Sequence, residues 1–193
     1  MPDLVLASTS PRRKELLEKL HIPFTAFSPN VDESTEDGLE PSEVVMGLAE
    51  RKARAALVHH PDSCVIGSDT IVAYGGLILG KPSGRTEAKE MLSALSGKTH
   101  QVFTGAAVIY NGQTHRFYEK TNVTFWELED DEIERYLHTG EPYDKAGAYG
   151  IQGLGALLVK SIHGDYYSVV GLPISRLSRL LSNLGFSVPP PEA

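Results

Sequence analysis

The chain has 193 residues, 41% hydrophobic and 22% charged, which puts it in the globular range and lets it bury about 70% of its unfolded surface. Its 18 Lys and Arg against 25 Asp and Glu leave a net charge of −7, which disfavours duplex DNA or an anionic membrane as the main ligand but leaves room for a local basic pocket. A single cysteine, Cys64, excludes an internal disulfide, and with no zinc-like Cys/His spacing any metal is expected to be oxygen-bound, which points to magnesium or manganese.

No apolar run approaches the ~18 residues of a membrane span, and Leu4 to Ala7 is too short for a signal-peptide core, so a soluble cytoplasmic protein is expected. Length favours one domain over residues 1–193. Leu4–Ala7 reads as a buried strand stopped by Ser8-Thr9-Ser10. Ser10 as N-cap, Pro11 in the first turn and the stripe Leu16, Leu17, Leu20 predict a helix. Phe24 to Phe27 predicts a second strand. Between Asp32 and Glu43 stand six acids and no base, a solvated loop leading into a helix from about Ser42 to Val58. Cys64–Gly67 and Ile71–Tyr74 read as strand on either side of a polar interruption, Ser68-Asp69-Thr70, and Gly75-Gly76 turns into Leu77-Ile78-Leu79.

A helix is expected over Glu87–Leu95, closed by Gly97. Val102–Tyr110 and Thr114–Trp126 flank Asn111-Gly112, the strongest short hairpin signal in the chain. Asp130–His138 predicts a charged surface helix ending at Gly140. Glu141 to Gly155 has no period and reads as a functional or mobile loop. Ala156–Ile162 predicts a strand, and Ile174, Leu177, Leu181 and Leu184 stripe a last helix ended by Gly185. Residues 190–193 read as a frayed tail. The alternation of helices and strands, broken by hairpins, predicts a mixed-sheet α/β fold.

Arg12-Arg13-Lys14 stands in the first turn of a helix, where the dipole makes each exposed cation unfavourable by about 0.3–1 kcal/mol. An anion bound among the turn amides, the hydroxyls of Ser8 and Ser10 and these side chains would compensate. A solvated basic turn paired with the acidic loop is the plain alternative. Asp69 follows an apolar strand, where open α/β sheets place ligands and a carboxylate holds magnesium or acts as base, although this residue taken alone fits a turn-forming Asp better. Glu33 has the same ambiguity. Gly75, Gly80 and Lys81 match most of a phosphate loop, but Pro82 supplies neither hydroxyl nor N–H, so the match is rejected. Lys81 and Lys52 then read as surface lysines. The histidines show no ligand spacing, Cys64 reads as core, the sequon at Asn122 as chance, and Tyr166-Tyr167 as a half-buried strand pair.

The order Ala7-Ser8-Thr9-Ser10-Pro11-Arg12-Arg13, Val31-Asp32-Glu33, Ala49-Glu50-Arg51-Lys52-Ala53, Gly67-Ser68-Asp69-Thr70, Gly80-Lys81-Pro82 and Tyr143 to Gly153 closely resembles the Maf family of nucleoside triphosphate pyrophosphatases. The resemblance covers nearly the whole chain. It implies an elongated α/β fold similar to the inosine triphosphate pyrophosphatases, two lobes around a central cleft, usually a homodimer, and metal-dependent cleavage of a nucleoside triphosphate to the monophosphate and pyrophosphate. By position it makes Ser8, Arg12, Arg13, Lys52 and Lys81 phosphate contacts, Glu33 and Asp69 acidic site residues beside Mg²⁺ or Mn²⁺, directly or through water, and Asp69 the proton acceptor. A triphosphate carries about four negative charges, so several cations and a metal suit it.

Within the family, the residues matching Arg12, Thr70 and Gln152 go with the branch acting on dTTP and UTP. A carboxamide pairs with both the N3–H donor and the O4 acceptor of a uracil or thymine edge, whereas a carboxylate would repel O4. Gln152 organising its Gly-rich loop is the plain alternative. The family's association with septum formation raises a rival reading, a non-catalytic division regulator that binds nucleotide, nucleic acid or a protein partner; the net charge argues against nucleic acid.

Overall fold

The strand Leu4–Ala7 is buried at every position, as a parallel strand covered on both faces must be. The computed structural model describes residues 3–36 and 38–187; the expected frayed tail lies outside them. In chain order the elements are β1 (Leu4–Ala7), α1 (Pro11–Glu18), β2 (Thr25–Phe27), α2 (Pro41–Leu57), β3 (Cys64–Tyr74), β4 (Leu77–Leu79), α3 (Arg85–Leu95), β5 (Thr99–Tyr110), β6 (Gln113–Phe125), α4 (Asp130–His138), β7 (Val159–His163), α5 (Tyr166–Val170) and α6 (Ile174–Asn183). They form one seven-stranded sheet in the order β2-β1-β3-β5-β6-β7, with β4 on β3. β1 is parallel to β2 and β3, while β4 and β7 run antiparallel to their partners. The sheet is therefore mixed and open, flanked by helices, in the α/β class expected.

The chain forms two compact units: residues up to Asp69 with Thr104–Glu119 and the segment from Gly171 on, and Thr70–Phe103 with Lys120–Val170. In the first, Val5, Ala7, Ala49, Ala53, Ala56, Val65, Ala107 and Ile109 make the core. Two glycines let α2 lie unusually close to the strands. A Cβ on Gly67 would meet the Ala49 carbonyl oxygen at 2.0 Å, and one on Gly105 the Val45 carbonyl oxygen at 2.4 Å.

The second unit packs α3 and α4 around Leu92, Leu95, Phe125, Ile133, Leu137 and Tyr149. Its helix α4 carries a reciprocal capping box between Glu129 and Glu132, with acids in its first turn and Arg135 and His138 in its last, all favourable to the helix dipole. Buried His100 bonds the Tyr149 hydroxyl at 2.7 Å and meets Phe125 edge-on.

Three local expectations change. Residues 64–74 are one continuous strand, held between β1 and β5 in the sheet, and β4 pairs with its outer half, Val72 opposite Leu79 and Tyr74 opposite Leu77. The stretch from Glu141 is built of 3₁₀ turns, the last of which, Gly153–Leu158, delays β7 to Val159. Tyr166-Tyr167 begins a short helix rather than a strand, started by Asp165, whose carboxylate accepts the Ser168 N–H at 2.8 Å. The spacing Asp165 to Ser168 was the readable signal.

Candidate active site

Pairing of Ala7 with Gly67 sets the carboxyl end of β1 beside the middle of β3. Ser8 leaves β1 there, and Asp69 follows two residues after Gly67. Asp69 is thus inside a strand, not at its end as expected; it is the neighbouring strand that ends. Ser8 is buried, and its hydroxyl oxygen accepts the Ser10 N–H at 3.1 Å. Ser10 itself makes no side-chain cap on α1.

Lys52 is not a surface residue. Only 8% of it is exposed, and its Nζ donates to Asp69 Oδ1 at 2.6 Å and pairs with Glu33 Oε1 at 2.8 Å. At 100° per residue Lys52 falls between Leu48 and Ala56, at the centre of the apolar stripe of α2, a signal present in the sequence. Burying an ammonium there is tolerable because two carboxylates compensate it. The close seat that Gly67 and Gly105 give α2 brings the Lys52 stem within reach of β3.

Glu33 arrives on the acidic loop. Arg51, one residue before Lys52, donates to the backbone carbonyls of Asp32 and Ser34, the latter at 2.8 Å. Asp32 in turn accepts the Ser34 N–H and hydroxyl, at 2.8 and 2.6 Å, and these bonds hold its carboxyl below the usual carboxylate range.

Arg13 feels the charges of Asp69, Arg12 and Glu33. Burial lowers its guanidinium from the ordinary value, and the Asp69 charge opposes that. Its Nε donates to the Gly171 carbonyl at 2.8 Å. Ser68, fully buried, bonds the Gly105 carbonyl at 2.8 Å and lies 3.2 Å from the same Gly171 oxygen. Sequence reasoning missed both Ser68 and Gly171. Ser68 lay within a motif that pointed to Asp69, while nothing local marks the Gly171 carbonyl.

Ser8, Arg12, Arg13, Glu33, Lys52 and Asp69 therefore share the first unit. Thr70, Lys81 and Gln152 belong to the second. Thr70 is half-buried, and Lys81 and Gln152 are exposed. The Gly80 carbonyl accepts the Gly147 N–H at 3.0 Å, which ties the Gly80-Lys81-Pro82 motif to the segment leading to Gln152. Gly147, at φ 69°, is required there, since a Cβ would lie 2.9 Å from the Val72 side chain.

An open α/β sheet that gathers arginines, a buried lysine and two carboxylates where a parallel strand ends defines a protein suited to a polyanionic small molecule. The chain belongs to the Maf family, whose model, described as Maf-like protein, matches residues 3–184. A relative from Halalkalibacterium halodurans, named dTTP/UTP pyrophosphatase, is 54% identical over 97% of this chain and 98% of its own. Relatives of the same name from Bacillus cereus strain AH187 and Bacillus anthracis are also 54% identical, again over 97% of this chain and 98% of theirs.

Proposed function

We propose that the chain hydrolyses nucleoside triphosphates, preferably dTTP and UTP, to the monophosphate and pyrophosphate. The observation that carries this is Lys52, buried between Asp69 and Glu33 beside Arg13. Near-complete relatives with that named activity support it. Arg12, Arg13, Lys52, Lys81 and the Ser8 hydroxyl serve the phosphates by charge and hydrogen bonding. Asp69 orients a water and takes its proton as the water oxygen bonds the α-phosphorus. The bond from that phosphorus to the bridging oxygen breaks, and pyrophosphate leaves with the electron pair. A carboxylate offers about four acceptor sites, and Lys52 occupies one. Lys52 also fixes which way the carboxylate faces.

A hard divalent cation fits this donor set. Glu33 and Asp69 both reach one Nζ atom, so their oxygens lie close together, and Mg²⁺ or Mn²⁺ is usually held by one or two carboxylates with the rest of its shell from phosphate and water. When bound, the cation neutralises charge on the departing pyrophosphate. Gln152 reads the pyrimidine edge, with Arg12 and Thr70 as further specificity residues. The reading also takes a homodimer in the cytoplasm as the working state and a link to septum formation as its setting. Incubation of the purified protein with dTTP, UTP, CTP, ATP and GTP, with Mg²⁺ or Mn²⁺ or with excess EDTA, tests it. Monophosphate and pyrophosphate from dTTP and UTP, abolished by EDTA, are expected. Diphosphate and phosphate as products would overturn the reaction, and full turnover in EDTA the metal.

A further inference from the structure

Gln152 stands one residue before the 3₁₀ helix Gly153–Leu158, with an extended backbone at φ −89° and ψ 170°. Its side chain is exposed, yet the backbone on both sides is tied down. Glu141 Oε1 accepts the Leu154 N–H at 3.1 Å, and Oε2 accepts the Gly155 N–H at 3.2 Å. On the other side the Gly150 N–H donates to the Tyr136 hydroxyl at 3.2 Å. Tyr136 is buried and itself hydrogen-bonded to the Glu141 side chain. Both anchors of the turn thus converge on one carboxylate.

The turn is too tight for side chains at its glycines. A Cβ on Gly155 would lie 2.0 Å from the Gly150 carbonyl oxygen, and one on Gly153, at φ 61°, 2.7 Å from Glu141 Oε1. Glu141 is held in its turn, since its N–H donates to Thr139 Oγ1 at 3.1 Å and its carbonyl accepts from Lys145 Nζ at 2.6 Å.

We propose that Glu141, supported by Tyr136, is a positioning residue for Gln152 and through it for the choice of base; this rests on the reading of Gln152 as the base-reading residue. A carboxamide turned end for end pairs with cytosine, which presents an N4 donor, as well as with uracil, which presents an O4 acceptor. Discrimination between the two therefore depends on how the side chain is held. The start of a 3₁₀ helix leaves its first amides without partners inside the helix, and a carboxylate satisfies two of them with separate oxygens. A carboxamide at 141 would bring one oxygen and turn an NH₂ against the other N–H.

The test is the ratio of kcat/KM for UTP to that for CTP, two substrates of nearly equal size. Glu141→Gln and Gln152→Ala should each lower the ratio about tenfold or more. Combining them should lower it no further, because both act on one contact. Tyr136→Phe, which removes only the hydroxyl, should shift the ratio in the same direction and serves if Glu141→Gln does not fold. A ratio that stays at the wild-type value in Glu141→Gln and Tyr136→Phe but falls in Gln152→Ala overturns the positioning role and leaves the base reading intact. A ratio unmoved by Gln152→Ala removes the base reading and this inference with it.

Discussion

Asp69 and Lys52 are the pair on which the proposed chemistry turns, and the two make different predictions. Asp69→Asn keeps the shape of the side chain but removes its basicity, so kcat should fall by about 10²–10⁴ while the fold persists. Steady-state assay with UTP checks this, and activity within about tenfold of wild type would assign the proton to another group. Lys52→Met keeps the stem and removes the charge, which leaves Asp69 buried at 8% exposure with its 2.6 Å partner gone. Breaking a buried pair from one side costs about 3–5 kcal/mol, so urea unfolding should show a loss of that order in addition to lost turnover. Glu33 contributes little to this difference because its side chain is 55% exposed, where ion pairs are weak.

At the scale of elements, the site depends on how α1 and α2 are seated. Arg13, in the first turn of α1, donates its Nε to the Gly171 carbonyl at 2.8 Å. Arg13→Ala should therefore lower the thermal midpoint of the ligand-free protein, and an unchanged midpoint would mean that this bond does not seat α1. Gly67→Ala acts on α2: its Cβ would meet backbone at 2.0 Å, which no rotamer change relieves. Overpacking of this kind costs about 1–3 kcal/mol or more. The shift of α2 it forces should also lower kcat, because Lys52 rides on that helix, and denaturant unfolding beside steady-state assay would show both.

For the molecule as a whole, acid sensitivity should come in part from His100. It is 1% exposed, and burial lowers its imidazole from 6.5 to about 4. The unfolded chain takes up this proton near pH 6.5 while the folded chain does not. Stability is therefore retained above pH 6.5, falls as pH drops from 6.5 toward 4, and stops falling below that; the total is on the order of 3 kcal/mol. His100→Leu should be less stable at pH 7.5, having lost the Tyr149 bond, but show a flatter decline across that window. Urea midpoints measured at intervals from pH 7.5 to 4 would reveal it, and parallel declines in the two proteins would exclude His100 as the source.

What the sequence determined by itself were the elements with strong local signals. The apolar run Leu4–Ala7 became β1 at the predicted bounds, and Asn111-Gly112 turns with both residues at positive φ, 48° and 73°, as a two-residue hairpin requires. Asp130–His138 became α4 because caps, charges and stripe agreed. The ordered motifs also named the family, since their spacing is a property of the chain alone. The environment of each site residue was decided only by tertiary structure. Asp69 lies inside a strand because β3 runs unbroken from Cys64 to Tyr74 between β1 and β5, the latter 30 positions further along the chain. Lys52 is buried because a carboxylate 17 positions away waits for it, although its place on the apolar stripe was visible. Arg13 is anchored by a carbonyl 158 positions away. Local propensity and period act over a few residues, whereas burial of a charge depends on which distant groups can compensate it.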